Sequence, residues 1–272
     1  MEFHIKRIIG YLFGFVLFYA PFALFQKTIS YLLTGQFREM TIHSLCYRIP
    51  IEHMLDGSFF QRGAYSLICC GILFVSALLF GPAFCGRLCP AGAFTEYVSK
   101  LVPDGFKISW RKYTEIAPLS YGMLFGFLLS PFFDVVLACA YCNFFIFDLI
   151  VNYLTMGYIV SFTSSMLLTF ILWLFLFGIF TKGGRGFCNF LCPVGAVQSL
   201  FYYIGSKIGI ASAWRCDTSK CTKCGKCANA CPMEAIEMNE GPVQSIHNCI
   251  NCGVCVYCCP VKSITFGRKN EK

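Results

Sequence analysis

Charge is scarce in this sequence. Only 13% of its 272 residues are Asp, Glu, Lys or Arg, whereas about 25% is usual in water-soluble domains. Hydrophobic residues make up 57%, against roughly 45–50% in such domains, so the composition predicts a membrane protein. Disorder is excluded as well, because the chain has 30 Phe and a mean hydropathy of +0.63.

Several sequence signals are also missing. No dinucleotide-binding fingerprint or flavin-attachment signal occurs, so any NADH or flavin chemistry would belong to a partner. No DNA-binding or kinase module is visible, which argues against a redox sensor with its own output. No small-x-small cleavage site follows the first apolar run, so a cleaved signal peptide is not expected. The 19 cysteines are bunched, which excludes a secreted disulfide scaffold.

Four apolar stretches approach or reach the ~20 residues that cross a bilayer as a helix. They cover residues 8–25, 63–84, 116–138 and 158–180. We therefore expect an α-helical membrane protein with four transmembrane helices. Most Lys and Arg lie before the first stretch, between the second and the third, and after the fourth. Because positive charge marks the cytoplasmic side, this distribution predicts a multi-pass protein of the bacterial inner membrane with both termini cytoplasmic. The net charge of +8 then reflects a basic inner face beside anionic lipid, with no nucleic-acid partner.

A repeated motif divides the expected membrane domain, residues 1–205, into two units. Residues 84–93 read FCGRLCPAGA and residues 187–196 read FCNFLCPVGA, which agree at seven of ten positions. Each copy follows the second helix of a predicted pair, so the two pseudo-repeats span about 8–95 and 116–198. Duplication of this kind tends to place functional sites where the units meet.

The C-terminal segment 206–272 carries the most specific pattern. Two runs of Cys-x-x-Cys-x-x-Cys-x-x-x-Cys-Pro predict an α+β bacterial ferredoxin domain on the cytoplasmic side, in which the fourth cysteine of each run ligates the other [4Fe–4S] cluster. A pair of structural zinc sites is the alternative. We expect Cys216 and Cys258 to be non-ligands. The expected ligands are Cys221, Cys224, Cys227 and Cys259 for cluster 1, and Cys249, Cys252, Cys255 and Cys231 for cluster 2.

The two Cys-x-x-x-Cys-Pro motifs supply two thiolates each, half of what a [4Fe–4S] cluster needs. Together they predict one further cluster at the inner end of the membrane helices. Its ligands would be Cys85, Cys89, Cys188 and Cys192. Zinc fits the ligand count equally well. The alternative without a metal is that small Cys and Pro residues merely shape a helix end.

A weaker match between the two units predicts a second membrane site at the outer end. Aligning Cys46 with Cys142 sets His43 against Cys139. These residues form a possible three-Cys, one-His cluster site, and histidine ligation usually raises the reduction potential of a cluster. A disulfide between Cys139 and Cys142 is the alternative in an oxidising compartment.

Other residues of the apolar part have weaker predicted roles. Cys69 or Cys70 could replace His43 as a ligand, although buried cysteine often acts as a small hydrophobe. Proton transfer would need a carboxylate or histidine, and Asp134 is the candidate because ionisable residues at membrane depth are commonly functional. Weaker candidates still are Glu52, His53 and Asp56.

Four predicted membrane helices, the motifs at 85–90 and 188–193, and the module at 221–260 resemble NapH-type membrane quinol dehydrogenase components. The resemblance implies an electron-transfer subunit that exchanges electrons between the quinone pool and a redox partner subunit. Quinone and membrane lipid would be its other partners. The His43 site is not carried over from that family. The alternative function is redox assembly or maturation, in which the protein reduces a metal or cofactor for another enzyme.

Overall fold

The computed structural model describes residues 2–19, 21–37, 42–133, 137–157 and 163–267. Helices dominate up to Ile208, and four short β-strands follow. The first half contains α1 (Glu2–Phe18), α2 (Leu24–Thr34), α3 (Arg48–Leu55), α4 (Ala64–Phe80) and α5 (Pro90–Ser99). The second half contains α6 (Ile116–Leu129), α7 (Leu137–Ala140), α8 (Asn143–Met156), α9 (Ser164–Ile171), α10 (Gly186–Phe190) and α11 (Pro193–Ile208).

Shorter helical segments connect these elements. π-helical segments occupy Phe59–Gly63, Phe84–Leu88 and Leu172–Ile179, and 3₁₀ turns include Ile42–Leu45 and Lys182–Gly184. The segment Phe84–Leu88 contains Cys85, and Cys89 lies between this segment and α5. The two cysteines of the first Cys-x-x-x-Cys-Pro motif therefore lie where the backbone changes from π-helical to α-helical.

The prediction of four transmembrane helices is wrong. Within the described ranges, no helix is both long and apolar enough to cross a membrane. The predicted localisation, a multi-pass protein of the bacterial inner membrane with both termini cytoplasmic, is contradicted by the same finding.

Breaks in the backbone explain why the apolar stretches do not become long helices. α1 ends at Phe18, and the chain turns before α2 begins at Leu24. α4 has 17 residues and ends at Phe80, and the following Gly81 has a φ of +73°. α6 has 14 residues and ends before Pro131, a residue that cannot donate the next helical hydrogen bond. Hydropathy along the chain does not reveal these changes.

The two repeat units exchange their last helices. α11 follows the second motif and packs along α4, which precedes the first motif. Conversely, α5 follows the first motif and packs against Leu172–Ile179, which precedes the second. A Cβ at Gly205 would come within 2.2 Å of the Leu78 carbonyl oxygen, so a residue without a side chain lets α11 and α4 approach. This crossed packing brings the two motifs together.

The C-terminal module consists of two small antiparallel strand pairs and two short helices. β1 (Ala213–Cys216) pairs with β4 (Ile264–Gly267), and β2 (Ile236–Met238) pairs with β3 (Pro242–Gln244). α12 (Lys226–Asn229) packs against α13 (Val254–Cys258). Buried Met233, Ala235 and Ile250 belong to the same hydrophobic core as the cysteine motifs of the helical part. The module is therefore packed onto the helices.

Candidate metal centres

Two cavities in the C-terminal module are each lined by four cysteines from both runs. One, of about 300 Å³, is lined by Cys221, Cys224, Cys227 and Cys259. The other, of about 340 Å³, is lined by Cys231, Cys249, Cys252 and Cys255. The fourth cysteine of each run thus lines the same cavity as the first three of the other run.

The backbone around these cavities repeats with the cysteines. Lys223 and Asn251 follow the first cysteines of the two runs, and both have left-handed φ, +53° and +50°. Glu234 and Lys262 follow the fourth cysteines, and both have a φ of +49°. Non-glycine residues rarely adopt this conformation, so four instances in matching positions show a loop geometry that the module imposes twice.

These loops turn backbone N–H groups toward the cysteine sulfurs. Asn251 N donates to Cys249 Sγ at 3.4 Å. Ala235 N and Ser263 N donate to Cys231 Sγ and Cys259 Sγ, each at 3.3 Å. Hydrogen bonds to ligand sulfur stabilise thiolates and tune the potential of an iron–sulfur cluster.

Cys216 and Cys258 have other partners. The Cys258 thiol donates to the Cys255 carbonyl oxygen at 3.5 Å, and the Cys216 thiol to the Ser263 hydroxyl at 3.9 Å. Both contacts suit ordinary thiols outside the two cavities.

A third cavity, of about 460 Å³, lies where the two repeat units meet. It is lined by Cys85, Cys89, Cys188 and Cys192, so both Cys-x-x-x-Cys-Pro motifs contribute their two cysteines. Cys89 and Cys192 are the N-cap residues of α5 and α11, and the following prolines occupy the first helical turn. Proline is favoured there because its missing N–H has no acceptor to lose. Gly92 N donates to Cys89 Sγ at 3.4 Å. We call these four residues the four-cysteine site.

Buried amide groups around the four-cysteine site test whether it fits a cluster. Asn143 lines the cavity, the Cys85 thiol donates to Gln198 Oε1 at 3.4 Å, and both amide side chains are almost fully buried. In the described part of the chain, the side-chain nitrogens of Asn143 and Gln198 have no hydrogen-bond acceptor. Buried donors normally have a partner. A sulfur-rich anionic group in the cavity would supply an acceptor for Asn143 Nδ2, so this residue fits a [4Fe–4S] cluster.

The predicted zinc alternative requires a compact set of sulfurs. Among the described residues, no group of three or more His, Cys, Asp or Glu is close enough to hold one metal ion. Zinc, with Zn–S bonds of about 2.3 Å, would hold its four sulfurs within about 4 Å of one another. In the part of the chain that the structure describes, the predicted zinc alternative therefore has no compact ligand group.

Burial keeps the thiols of the four-cysteine site protonated when no metal is present. It raises the pKa of Cys85 and Cys192 well above the usual value, and that of Cys89 to about 12. By contrast, a backbone hydrogen bond from Lys226 lowers the pKa of the exposed Cys224. Only thiolates ligate iron, so loading the buried site must release protons.

Both cysteine motifs touch the loops that carry Cys231 and Cys252. A Cβ at Gly86 would lie 2.1 Å from the Ile250 carbonyl oxygen and 3.1 Å from Cys252 Cα, so the two backbones are in direct contact. From the second motif, Asn189 Nδ2 donates to the Met233 carbonyl oxygen at 3.0 Å. The four-cysteine site is therefore next to one cavity of the C-terminal module.

A further cavity, of about 570 Å³, is lined by Cys46, Cys139 and Cys142 and by apolar side chains. Arg48 Nη2 donates to Cys139 Sγ at 3.3 Å. His43 lies in the 3₁₀ turn Ile42–Leu45, but its side chain is outside the described part of the structure. The structure therefore brings three of the four predicted outer ligands together. We call them the three-cysteine site.

The sequence left two alternatives at the three-cysteine site, a disulfide between Cys139 and Cys142 and a ligand role for Cys69 or Cys70. All 19 cysteines are free thiols, so Cys139 and Cys142 form no disulfide. The Cys70 thiol donates to the Leu45 carbonyl oxygen at 3.1 Å, one residue from Cys46. Burial raises the pKa of Cys69 to about 11, as expected of a thiol inside the core.

The predicted proton-transfer residues stay predictions. Asp134 lies outside the described residues. Glu52 forms an ion pair with Arg48 at 3.0 Å, and Asp56 with His53 Nδ1 at 3.1 Å. These pairings are sufficient to explain both carboxylates.

Sequence reasoning missed a buried charge network beside the four-cysteine site. Glu96, on α5, accepts hydrogen bonds from Arg7 Nη1 at 2.8 Å and from Arg185 Nε at 2.7 Å. The Tyr11 hydroxyl accepts from Arg185 Nη2 at 2.9 Å and donates to the Gly86 carbonyl oxygen at 2.7 Å. The available signal was Glu96, a lone carboxylate one turn after the first motif.

Comparison with known families finds 4Fe-4S binding profiles in the helical part and in the C-terminal module. A family profile described as a 4Fe-4S binding domain matches twice, at residues 63–109 and 165–211, and a second profile with the same description matches residues 217–237. The chain contains ferredoxin-type 4Fe–4S binding domains. The two matches of the first profile fall on the two repeat units, each including one Cys-x-x-x-Cys-Pro motif. None of the matches is specific to the NapH type.

Two similar proteins come from Methanocaldococcus jannaschii. Uncharacterized protein MJ0750 is 25% identical over 204 residues, which cover 72% of this chain and 76% of the relative. Uncharacterized protein MJ0749 is 28% identical over 165 residues, which cover 60% of this chain and 56% of the relative. The match thus spans little more than half of MJ0749. No solved structure matches this chain.

Proposed function

We propose that this protein conducts electrons through a row of three [4Fe–4S] clusters, two in the C-terminal module and one at the four-cysteine site. The observation that carries the proposal is that each of three cavities is lined by one complete set of four cysteines. Cluster 1 would bind Cys221, Cys224, Cys227 and Cys259, and cluster 2 would bind Cys231, Cys249, Cys252 and Cys255. The third cluster would bind Cys85, Cys89, Cys188 and Cys192.

Exposure and contact suggest the order of the row. When bound, each cluster would supply a one-electron carrier. Cys224 is exposed, so cluster 1 is the end at which a redox partner can exchange electrons. The backbone contact between Gly86 and Cys252 joins cluster 2 to the four-cysteine site. Around that site, buried aliphatic and aromatic side chains exclude water and limit competing reactions of a reduced cluster.

We extend the row to the three-cysteine site as its far end. Phe144 lines both this cavity and that of the four-cysteine site, and its ring is 6.3 Å from that of Phe84. A fourth cluster here would need a fourth ligand, either His43 or Cys70. The quinone and the partner subunit implied by the resemblance remain predictions.

Iron and sulfide analysis of the anaerobically reconstituted full chain tests the proposal. Three clusters require about 12 iron atoms per chain, since each holds four, and a fourth at the three-cysteine site would raise the content to about 16. Cys192→Ser should remove one cluster and its paramagnetic signal. Cys258→Ser is the matched control, because that thiol bonds to its own helix, and it should leave the iron content unchanged. Two clusters in the wild-type protein, or an unchanged spectrum in Cys192→Ser, would overturn the third site.

An assay with a quinol analogue separates electron transfer from the maturation alternative. Reduction of the clusters by the quinol supports exchange with quinone. If quinol has no effect and the dithionite-reduced protein instead reduces a ferric or cupric salt, maturation is favoured.

A further inference from the structure

We propose that Arg185 is a positioning residue that raises the reduction potential of the cluster at the four-cysteine site, and that Glu96 limits this effect. The inference rests on the proposed function, because it concerns the third cluster. It assigns a role to a buried charge network that the cysteine motifs alone do not explain.

Arg185 connects the two motifs from a position with no access to solvent. Its exposed fraction is 0%, and its Nη1 donates to the Cys85 carbonyl oxygen at 2.7 Å. A Cβ at Gly92 would lie 2.9 Å from Arg185 Nη1 and 3.3 Å from Cys188 Sγ, so guanidinium and thiol flank the same point. Arg185 thus holds the first motif by its backbone while its charge lies beside a ligand of the second.

The network around Arg185 has an excess of positive charge. Both Glu96 oxygens also accept from Arg7, at 2.8 and 3.0 Å, and Lys100 Nζ lies 3.9 Å from one of them. One carboxylate therefore faces two buried guanidinium groups and a half-exposed ammonium. Burial alone would raise the pKa of Glu96, but the charges of Arg185 and Arg7 hold that pKa below its usual value. Glu96 is thus ionised, and it offsets only part of the positive charge.

The sign of the effect follows from the charge of the cluster. A [4Fe–4S] cluster with four thiolates is an anion, and accepting one electron from cluster 2 adds one more negative charge. No bond forms or breaks in this step, and no proton is required. Positive charge within a low-dielectric interior stabilises the more negative, reduced form. Arg185 should therefore raise the potential, while the Glu96 carboxylate should lower it.

A purely structural role predicts something different. If the network only fastened α1 and α5 to the loop before α10, substitutions of Arg185 and of Glu96 would both loosen the fold. Their effects on the potential would have no reason to be opposite in sign. The direction of the shift in two variants of opposite charge therefore distinguishes the two roles.

The test is a redox titration of the reconstituted full chain, monitored by the paramagnetic signal of the third cluster. Arg185→Met should shift the midpoint potential to more negative values, and Glu96→Gln should shift it to more positive values. Arg185→Lys keeps the charge and should stay closer to wild type than Arg185→Met. Asp104→Asn removes an exposed carboxylate and serves as the charge-matched control, with no expected shift.

Each outcome separates this inference from the proposed function. A wild-type chain without a third cluster overturns the proposed function and the inference with it. A third cluster whose potential is unchanged in Glu96→Gln, or shifts in the same direction in both charge variants, overturns the inference alone. If Arg185→Met does not fold, the sign of the shift in the isosteric Glu96→Gln still decides.

Discussion

At the scale of single residues, the four-cysteine site depends on small side chains beside its ligands. Gly92 follows Cys89 by three residues, and the space above it is occupied by the Arg185 guanidinium and the Cys188 thiol. A methyl group there would press on both, since Cβ atoms rarely approach other heavy atoms within 3.4 Å. Gly92 is therefore as much a part of the site as the cysteines.

We predict that Gly92→Ala loses most of the third cluster and keeps the two clusters of the C-terminal module. The added Cβ would displace Cys188 Sγ from the other three thiols. Cluster content resolved by electron paramagnetic resonance measures this loss. Gly71→Ala is the control, because a Cβ at that helical glycine meets nothing within 4 Å in the described structure. Retention of the third signal in Gly92→Ala would refute this packing argument.

Proton release on loading gives a second prediction at this scale. Burial raises the pKa of Cys89 to about 12, whereas a backbone hydrogen bond lowers that of Cys224. The cost of deprotonating the buried thiols falls as pH rises, so occupancy of the four-cysteine site should increase more steeply from pH 7 to pH 9 than that of cluster 1. Reconstitution at limiting iron, read site by site, measures both slopes. Equal slopes would contradict the assigned burial effect.

At the scale of helices, the exchange of α5 and α11 between the repeat units assembles the site. Each motif ends in a helix that packs against the other unit, so neither cysteine pair can be positioned by its own unit alone. The π-helical segment Phe84–Leu88 comes just before α5, and the π-helical segment Leu172–Ile179 packs against α5. Tight contacts between α11 and α4 should therefore control both the stability of the fold and the occupancy of the four-cysteine site.

Gly205→Ala tests the exchanged packing. A Cβ there would meet the Leu78 carbonyl oxygen at 2.2 Å, so α11 must move away from α4. We expect a loss of about 1–3 kcal/mol in the free energy of unfolding, as in other overpacked cores. Gly122→Ala, on α6 with no atom within 4 Å of the new Cβ in the described structure, should instead stabilise by about 0.4–1 kcal/mol. Thermal unfolding of the two variants would contradict the account if both moved in the same direction.

At the scale of the whole molecule, the sequence predicts the cofactor chemistry better than the architecture. Cysteine spacing and duplication are enough to group twelve thiols into the sets that line three cavities. Hydropathy did not predict the helix lengths, because it averages over the local backbone breaks at Phe18, Gly81 and Pro131. The expected membrane spans failed for that reason.

The buried charge network could not be predicted from the sequence for a different reason. Arg7 and Glu96 are 89 residues apart in the sequence, as are Glu96 and Arg185, and the three residues share no motif. Only the packing of α1 and α5 against the loop before α10 brings their charges together. Side chains that act at a distance from the ligands are found from contacts, whereas the ligands themselves are found from spacing.

The central claim is that the four-cysteine site and cluster 2 are adjacent members of one electron-transfer row. Electron paramagnetic resonance of the fully reduced protein tests it most directly, because paramagnetic clusters whose protein loops are in contact should show spin–spin splitting. We predict, beyond the coupling within the C-terminal pair, an additional splitting in the wild-type protein that is lost in Cys192→Ser and kept in Cys258→Ser. A wild-type spectrum equal to the spectrum of Cys192→Ser plus the signal of one uncoupled cluster, or one identical to that of Cys192→Ser, would contradict the account.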